Sequence, residues 1–205
     1  LGKEATDSTI ITDGTQISAS GSGVTYASGV ESESVVYNKL EIPRGGEFCL
    51  TLSDGTRVWL NSETSIQYPV AFGAKERRVF VQGEAYFEVA KDAKKPFTVQ
   101  FMSSSVTVLG TSFNIRAYPE EKRSQTTLAE GSVRIYSPGS SMLLKPGEQA
   151  EVSALSGEMV KQEVEVKNFT SWKDGRFVFE QQPLEDIMRT LERWYDIRVI
   201  FKDEG

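Results

Sequence analysis

The chain has 205 residues, of which 39% are hydrophobic and 25% are charged, and its formal net charge is −6. This much apolar material can form a core, so the composition excludes global disorder, and the negative field disfavours binding to nucleic-acid phosphates. The chain has no histidine and one cysteine, Cys49, which excludes imidazole bases, Ser-His and Cys-His pairs, an intrachain disulfide and a thiolate cluster. Cys49 lies between Phe48 and Leu50, which favours a packed thiol over a reactive one.

Residues 1–35 are rich in Ser, Thr and Gly and are interpreted as a flexible or partly stranded lead-in. Ile10, Ile11 and Ile17 flank Asp13-Gly14. A short strand is expected near these isoleucines, with a turn at Asp13-Gly14.

From residue 36 onward, apolar residues alternate with small or polar ones, beginning with Phe48, Leu50 and Leu52 and ending with Val164 and Val166. Such alternation predicts many short strands, each with one buried face. Turn-forming pairs separate the runs: Asp54-Gly55, Gln82-Gly83, Leu109-Gly110, Glu130-Gly131, Pro138-Gly139 and Pro146-Gly147. The sequence therefore predicts an all-β domain over residues 36–168, either an irregular layered β-sandwich or a solenoid-like stack; the uneven glycine spacing does not support a strict repeat.

The last segment, residues 172–205, has a different pattern. Residues 176–180 are typical of a strand, and Pro183 is expected at the first position of a helix. The apolar face of this helix comprises Leu184, Ile187, Met188, Leu191 and Tyr195. A closing strand is predicted from Ile197, Val199 and Phe201. The resulting β-α-β unit is too small to close a core alone, so we expect it to dock on the β domain, on another chain, or on a continuation beyond residue 205.

Two pairs of residues could have a functional role. Glu84 and Glu88 share one strand face and could serve as the acid pair of a glycosidase, although a solvated strand face is the simpler interpretation. Trp194 and Tyr195 end the helix; paired aromatics usually pack in a core, but they are also preferred interface anchors. With no base, nucleophile or metal cluster at hand, the residues favour a binding module over an enzyme, and no catalytic, cofactor or metal residue is assigned.

Seven segments, taken in order, resemble the FecR family of anti-sigma factors. They are residues 42–47 (IPRGGE), 52–61 (LSDGTRVWLN), 78–89 (RVFVQGEAYFEV), 96–99 (PFTV), 108–114 (VLGTSFN), 130–133 (EGSV) and 146–150 (PGEQA). The segment from Trp172 to Phe201 is similar to the opening of the C-terminal domain found in Bacteroidetes-type members, which resembles the secretin and TonB short N-terminal (STN) fold. That fold has two β-α-β units, and this sequence ends after the first.

The resemblance implies the periplasmic sensor region of a single-pass inner-membrane regulator. In such proteins, the sensor receives a signal from the signalling domain of a TonB-dependent outer-membrane transporter. A cytoplasmic domain holds an extracytoplasmic-function sigma factor. Because this chain begins at Leu1 and has no stretch of roughly 20 apolar residues, we expect the sigma-binding domain and the membrane helix to lie outside it.

We expect the β domain to act as a rigid spacer and the terminal unit to supply the docking surface. The candidate partner-binding residues are Phe177, Phe179, Leu184, Met188, Leu191, Trp194, Tyr195, Ile197, Val199 and Phe201. The alternatives are a carbohydrate-binding or carbohydrate-active β protein that uses Glu84 and Glu88, and a structural adhesin-like module.

Overall fold

The computed structural model describes residues 8–12, 15–20, 23–26, 36–180 and 182–201, with side chains in the last two ranges. In chain order the strands are β1 (Ser8–Thr12), β2 (Thr15–Ser20), β3 (Gly23–Tyr26), β4 (Tyr37–Glu41), β5 (Phe48–Thr51), β6 (Arg57–Leu60), β7 (Ser65–Pro69), β8 (Arg77–Glu88), β9 (Phe97–Phe101), β10 (Ser104–Val108), β11 (Ser112–Ala117), β12 (Arg123–Glu130), β13 (Val133–Ser137), β14 (Ser140–Leu144), β15 (Glu148–Ser153) and β16 (Met159–Glu163). The helical elements are α1 (Lys167–Thr170), a 3₁₀ turn (Ser171–Asp174) and α2 (Leu184–Tyr195).

The strands form two layers that share β8. Sheet A has the order β1-β2-β3-β5-β6-β8-β11-β12-β15-β16, and sheet B has the order β4-β7-β8-β9-β10-β13-β14. Most pairs are antiparallel; the parallel ones are β3 with β5 and β8 with β9. The mainly-β prediction, with many short strands in layers, is confirmed.

Strand β8 bends where it passes from one sheet to the other. Its first half pairs with β7 and β9 in sheet B, and its second half, from Gly83 onward, pairs with β6 and β11 in sheet A. Gly83 has a φ of 109°, and a Cβ at this position would lie 2.7 Å from the Cα of Thr64. The prediction that Gln82-Gly83 is a turn between two strands is therefore wrong, because glycine here permits a bend within one continuous strand.

A single hydrophobic core lies between the layers. Its members alternate along the strands, so the odd-numbered residues of β8 from Val79 to Phe87 face inward on both sides of the bend. The ring of Phe87 in sheet A stacks on Phe113, with centroids 5.1 Å apart, and lies 6.1 Å from Phe97 in sheet B. The even-numbered residues of β8 therefore face outward, which places Glu84 on the outer surface of sheet A.

The lead-in contributes strands to sheet A. Strands β1 and β2 form an antiparallel hairpin in which Ile10 is opposite Ile17, and β3 joins them to β5. The strand expected near Ile10 and Ile17 is thus present. The predicted turn residues Asp13 and Gly14, and most of the predicted flexible lead-in, lie outside the described residues.

The C-terminal region differs from the predicted β-α-β unit. Helix α2 is present, but it begins at Leu184, with Pro183 as its N-cap rather than its first helical residue. Residues 176–180 and 197–201 form no strand in the described structure. A strand requires a hydrogen-bonded neighbour, and no described strand pairs with either segment; the amide of Val199 donates instead to Oε1 of Glu192, at 2.7 Å. The short helix α1 and the 3₁₀ turn were not predicted.

The bend in β8 can be tested with Gly83→Ala, using Gly55→Ala as a matched control. Both glycines have a positive φ, but a Cβ on Gly55 would meet nothing within 4 Å. We expect Gly55→Ala to cost about 1 kcal/mol of unfolding free energy through backbone strain alone. Gly83→Ala should cost roughly 2 kcal/mol more because of the clash with Thr64. Denaturant titration measures both, and equal losses would contradict the packed bend.

Candidate functional site

The outer face of sheet A carries a buried polar network centred on Glu84. This side chain, with its residue only 5% exposed, accepts hydrogen bonds from Nδ2 of Asn61 at 2.9 Å and Nδ2 of Asn114 at 3.0 Å. Nη1 of Arg116 lies 3.5 Å from the same carboxylate. The interpretation of Glu84 as part of a solvated strand face is therefore wrong, because the C-terminal residues cover this part of the sheet.

Glu84 and Glu88 do not form a catalytic pair. Glu88 is half-buried and lies 3.6 Å from Arg57, whereas Glu84 is engaged by two amides and a guanidinium. The sequence does not reveal this difference, because both residues alternate with the same apolar positions. The arrangement gives Glu84 a structural role, in which its charge is balanced and its oxygens are occupied.

The C-terminal tail, residues 167–180 and 182–201, is anchored to this network mainly through two side chains, and Thr190 also accepts a hydrogen bond from Arg116 at 3.4 Å. The first anchor is Trp172, which is buried and donates its indole N–H to Oδ1 of Asn114 at 3.1 Å. Asn114 thereby joins the tail to Glu84. This places the 3₁₀ turn directly on the outer face of β11.

The second anchor is Arg193 of α2, which is only 4% exposed. Its guanidinium lies in a pocket that we call the arginine socket, formed by Glu63, Tyr118, Glu120 and Glu121. Nη1 donates to Glu121 at 2.9 Å, Nε lies 3.5 Å from Glu63, and Nη2 donates to Glu120. The guanidinium carbon lies 3.7 Å from the centroid of the Tyr118 ring, a cation–π contact. Ion pairs, hydrogen bonds and a cation–π contact thus all hold the Arg193 side chain in the socket.

Further contacts fix the helix around Arg193. The backbone amide of Gly45 donates to the carbonyl of Arg193 at 2.7 Å. The hydroxyl of Tyr118 donates to the carbonyl of Ser62 at 2.8 Å, which orients the ring beneath the guanidinium. Arg116 binds Glu121 through two nitrogens, at 2.7 and 3.0 Å. The socket is therefore continuous with the Glu84 network.

Two residues of the socket, Glu121 and Tyr118, have shifted pKa values. Burial raises the pKa of Glu121, but the hydrogen bonds and charges of Arg116 and Arg193 outweigh it, so the pKa lies below its usual value. Burial, reinforced by the charge of Glu84, raises the pKa of the Tyr118 hydroxyl. At neutral pH the socket thus presents an ionised Glu121 and a neutral Tyr118 to the guanidinium.

Helix α2 packs on the β domain through its polar side, whereas a simple amphipathic helix would bury its apolar side. Its buried residues are Thr190 and Arg193, on the polar side. Leu184 is exposed and Tyr195 is 63% exposed, while Met188 and Leu191 are half-buried. The pattern at helical spacing correctly predicts an amphipathic helix, but the face in the socket is the polar one.

The candidate partner-binding residues fall into two groups. Phe177, Phe179, Met188, Leu191, Trp194 and Val199 are half-buried, whereas Leu184, Tyr195, Ile197 and Phe201 are exposed. Phe177 stacks on Phe179 and makes an edge-to-face contact with Trp194, with centroids 4.4 Å apart. Trp194 thus packs within the tail, and the exposed apolar residues, joined by Ile200, lie at the helix ends and beyond.

A cleft of about 850 Å³ separates the tail from sheet A. Its β-sheet side is polar, including Gln125, Gln149 and Gln162, and its tail side includes Phe177 and Phe179. Glu84 and Glu121 reach this cleft, but both are bonded to arginine or amide groups. In the described residues, no set of three or more acidic or cysteine side chains is placed to hold a metal ion.

The fold and this network define a β-layered protein whose C-terminal helix is docked on the outer face of the sheet through charge. Comparison with known families finds two matches: FecR protein over residues 38–134, and FecR, C-terminal, over residues 176–205. Two crystal structures of a candidate anti-sigma factor from Parabacteroides distasonis ATCC 8503 are similar to the chain. They are 35% and 36% identical, each with a TM-score of 0.75, and they cover 78% of this chain and 76% and 75% of their own. No curated protein matches.

The chain therefore belongs to the FecR family, as the sequence motifs indicate, and the comparisons support an anti-sigma-factor role. Such a role is regulatory rather than enzymatic. None of the helices in the described part of the chain has the length and apolar content needed to cross a bilayer.

The sequence does not predict the arginine socket. Arg193 lies more than 70 residues from Glu120 and Glu121, so no local spacing connects them. The adjacent acids at positions 120 and 121 were the available signal, but such pairs are common on protein surfaces.

Replacing Arg193 should release the helix. We expect Arg193→Met to leave Glu120 without its ion pair and to remove the contacts that hold α2 to Glu121 and Glu63. Those two carboxylates keep Arg116 and Arg44 as partners, and docking of the helix should weaken by about 3 kcal/mol. Hydrogen exchange of the α2 amides should accelerate on the order of 100-fold, while the central strands β8 and β11 keep their protection. Arg189→Met is the control, because Arg189 is exposed and makes only longer ion pairs with Glu185 and Asp186, at 3.8 and 3.6 Å. Unchanged exchange in Arg193→Met would contradict the anchor.

The lowered pKa of Glu121 predicts an acid-dependent loss of stability. A carboxyl with a depressed folded-state pKa stabilises the fold above its unfolded value, near 4.5, and this contribution disappears as pH falls through the folded value. The stability difference between the wild type and Glu121→Gln should therefore be largest at pH 7 and shrink below pH 4.5. Urea titrations across this range measure it, with the exposed Glu158→Gln as control; a pH-independent difference would disprove the assignment.

Proposed function

We propose that this chain is the periplasmic sensor region of a membrane-anchored anti-sigma factor. In this role, it binds the signalling domain of a TonB-dependent outer-membrane transporter. It then passes the signal to an extracytoplasmic-function sigma factor through a cytoplasmic domain of the full protein. Membership of the FecR family and the likeness to an anti-sigma factor of 35% identity support this proposal.

The domain organisation that accompanies this proposal has three parts. Residues 1–35 are a lead-in, residues 36–168 form the FecR β domain, and residues 172–205 are the first half of an STN-like domain. The C-terminal family match over residues 176–205 supports the last assignment. Within this segment, Leu184, Ile200 and Phe201 are exposed.

The orientation of α2 is the observation that carries the assignment of a docking surface. Its polar side is bound to the β domain through Arg193 and Thr190. Its apolar side is partly covered by the tail itself, through the contact of Trp194 with Phe177, and is exposed at the helix ends. The exposed apolar residues are Leu184 and Tyr195 at the two ends of the helix, and Ile197 and Phe201 beyond it. Exposed aromatic and aliphatic groups of this kind are typical of protein–protein contact sites.

The β domain supplies rigidity in this scheme. Its core is fully enclosed, and the Glu84 network and Trp172 join its outer face to the tail. A docking surface held in a fixed position loses less conformational entropy on binding than a mobile one. The β domain then serves as a spacer that presents the tail.

The carbohydrate alternative gains no support from the geometry. A retaining or inverting glycosidase needs two carboxyl groups facing one sugar across a cleft. Glu84 reaches the cleft but Glu88 does not line it, and Glu84 is fully engaged by Asn61 and Asn114.

Binding of transporter signalling domains tests the docking surface. Tyr195→Ala removes an exposed aromatic ring and should weaken binding about thirtyfold, since truncation of an interface aromatic commonly costs roughly 2 kcal/mol. Leu155→Ala is the matched control, because Leu155 is 99% exposed on the turn between β15 and β16, away from the tail. Isothermal titration calorimetry with a panel of signalling domains from the same bacterium measures both.

Two outcomes would overturn the proposal. One is the absence of binding to every signalling domain in the panel. The other is binding that Tyr195→Ala and Phe201→Ala leave unchanged, which would place the contact elsewhere on the chain. Circular dichroism of each variant checks that the fold is preserved.

A further inference from the structure

Three edge strands have described side chains, and they differ in charge. Strands β4 and β14 end sheet B, and β16 ends sheet A; among the described residues each pairs with one neighbour. An edge strand presents free backbone N–H and C=O groups that can bind another strand, and proteins usually protect such edges with charged residues. Lys39 and Glu41 protect β4, and Lys161 and Glu163 protect β16. Strand β14, with the sequence SSMLL, has no charged residue and no proline.

The central residue of each edge determines whether the strand can pair with a copy of itself. In an antiparallel pair about the strand midpoint, the central residue faces its own counterpart. Two lysines would face each other in β4 (Lys39) and in β16 (Lys161), and like charges directly opposite are destabilising, although each lysine is ion-paired in its own copy, with Glu41 and Glu148 respectively. In β14 the central residue is Met142, so two uncharged, flexible side chains would meet. Of these three edge strands, β14 is the one that can pair with a copy of itself without placing like charges opposite each other.

We propose that β14 pairs antiparallel with β14 of a second copy of this chain and extends sheet B across a two-fold axis. Met142 faces inward and packs partly against the core, so two Met142 side chains would extend the inner apolar layer across the axis. Backbone hydrogen bonds from alternate residues of the five-residue strand complete the contact. The pairing involves a part of the molecule separate from the proposed docking surface.

The outward-facing residues of the β13–β14 hairpin also support an antiparallel pair centred on Met142. Ser141 is opposite Tyr136 of β13, and both point outward with Leu143. In the self-pair, Ser141 of one copy is opposite Leu143 of the other. The small serine then lies between two exposed apolar groups, Tyr136 and the second copy's Leu143, and leaves room for them to approach. Both apolar groups become less exposed in the dimer.

A contact of this size is weak. Five residues from each copy bury much less than the roughly 1,200 Å² of a stable interface. We therefore expect a reversible monomer–dimer equilibrium that becomes visible at high protein concentration.

Analytical ultracentrifugation over a concentration series tests the pairing. Leu143→Lys should raise the dimer dissociation constant tenfold or more, because it removes an apolar contact and adds like charges near the axis. Val160→Lys on β16 is the matched control: Leu143 and Val160 are exposed edge-strand residues of nearly equal exposure, 47% and 48%. A purely monomeric chain at millimolar concentration would overturn the proposal, as would a dimer that both variants affect equally.

Cysteine cross-linking tests the register. In a Cys49→Ser background, Met142→Cys places a thiol opposite its own counterpart, whereas Lys161→Cys places one at the midpoint of β16. Mild oxidation should yield a covalent dimer from Met142→Cys at a rate at least tenfold above that of Lys161→Cys. If a folded Met142→Cys variant cross-links no faster, β14 is not the contact. If Met142→Cys does not fold, Ser141→Cys mixed with Leu143→Cys provides the same test, since these positions are opposite each other in the proposed pair.

Discussion

Strand β8 must pair in two sheets at once, and the bend at Gly83 that permits this determines the layout of the rest of the molecule. Before the bend, β8 pairs with β7 and β9; after it, the strand pairs with β6 and β11. Because the odd-numbered residues stay in the core through the bend, Glu84 necessarily emerges on the outer face of sheet A. A buried carboxylate needs hydrogen bonds and a counter-charge, and Asn61, Asn114 and Arg116 provide them. The tail then covers this network.

The docking of α2 illustrates how a polar interface can set orientation. A buried ion pair contributes little net stability compared with an apolar contact of the same size, because each charge must first lose its hydration. It does, however, discriminate strongly between alternative positions of the helix, since a shift by one helical turn would separate Arg193 from Glu63, Glu120 and Glu121. The helix is thus fixed by its polar side. Its leucines and aromatics contribute to packing within the tail or remain exposed.

Much of the β domain could be predicted from the sequence because strand periodicity is a local property. The alternation around Leu50, Val58 and Phe87 predicts their burial, and all three are in the core. Glycine is found both in turns and in strand bends, so the sequence around Gly83 does not distinguish the two. The distinction comes from the close approach of Thr64, which is visible only in the structure. Likewise, the spacing of Leu184, Met188 and Leu191 predicts helix α2 but not which face packs on the β domain. That choice depends on Glu63, Glu120 and Glu121, which are distant in sequence, so local pattern carries no information about it.

The two surfaces for which we propose partners lie on different parts of the β domain. The tail covers the outer face of sheet A around β8 and β11, whereas β14 is an edge of sheet B that the described tail does not pair with. The two proposals therefore use different residues: β14 for self-pairing, and Tyr195 and Phe201 for the transporter domain. The physical basis also differs: β14 offers backbone hydrogen bonds on an uncharged edge, while the tail offers apolar side chains beside charged ones. Salt should have little effect on either contact, because the Arg193 side chain is buried, where ion pairs are screened much less, and backbone hydrogen bonds carry no net charge.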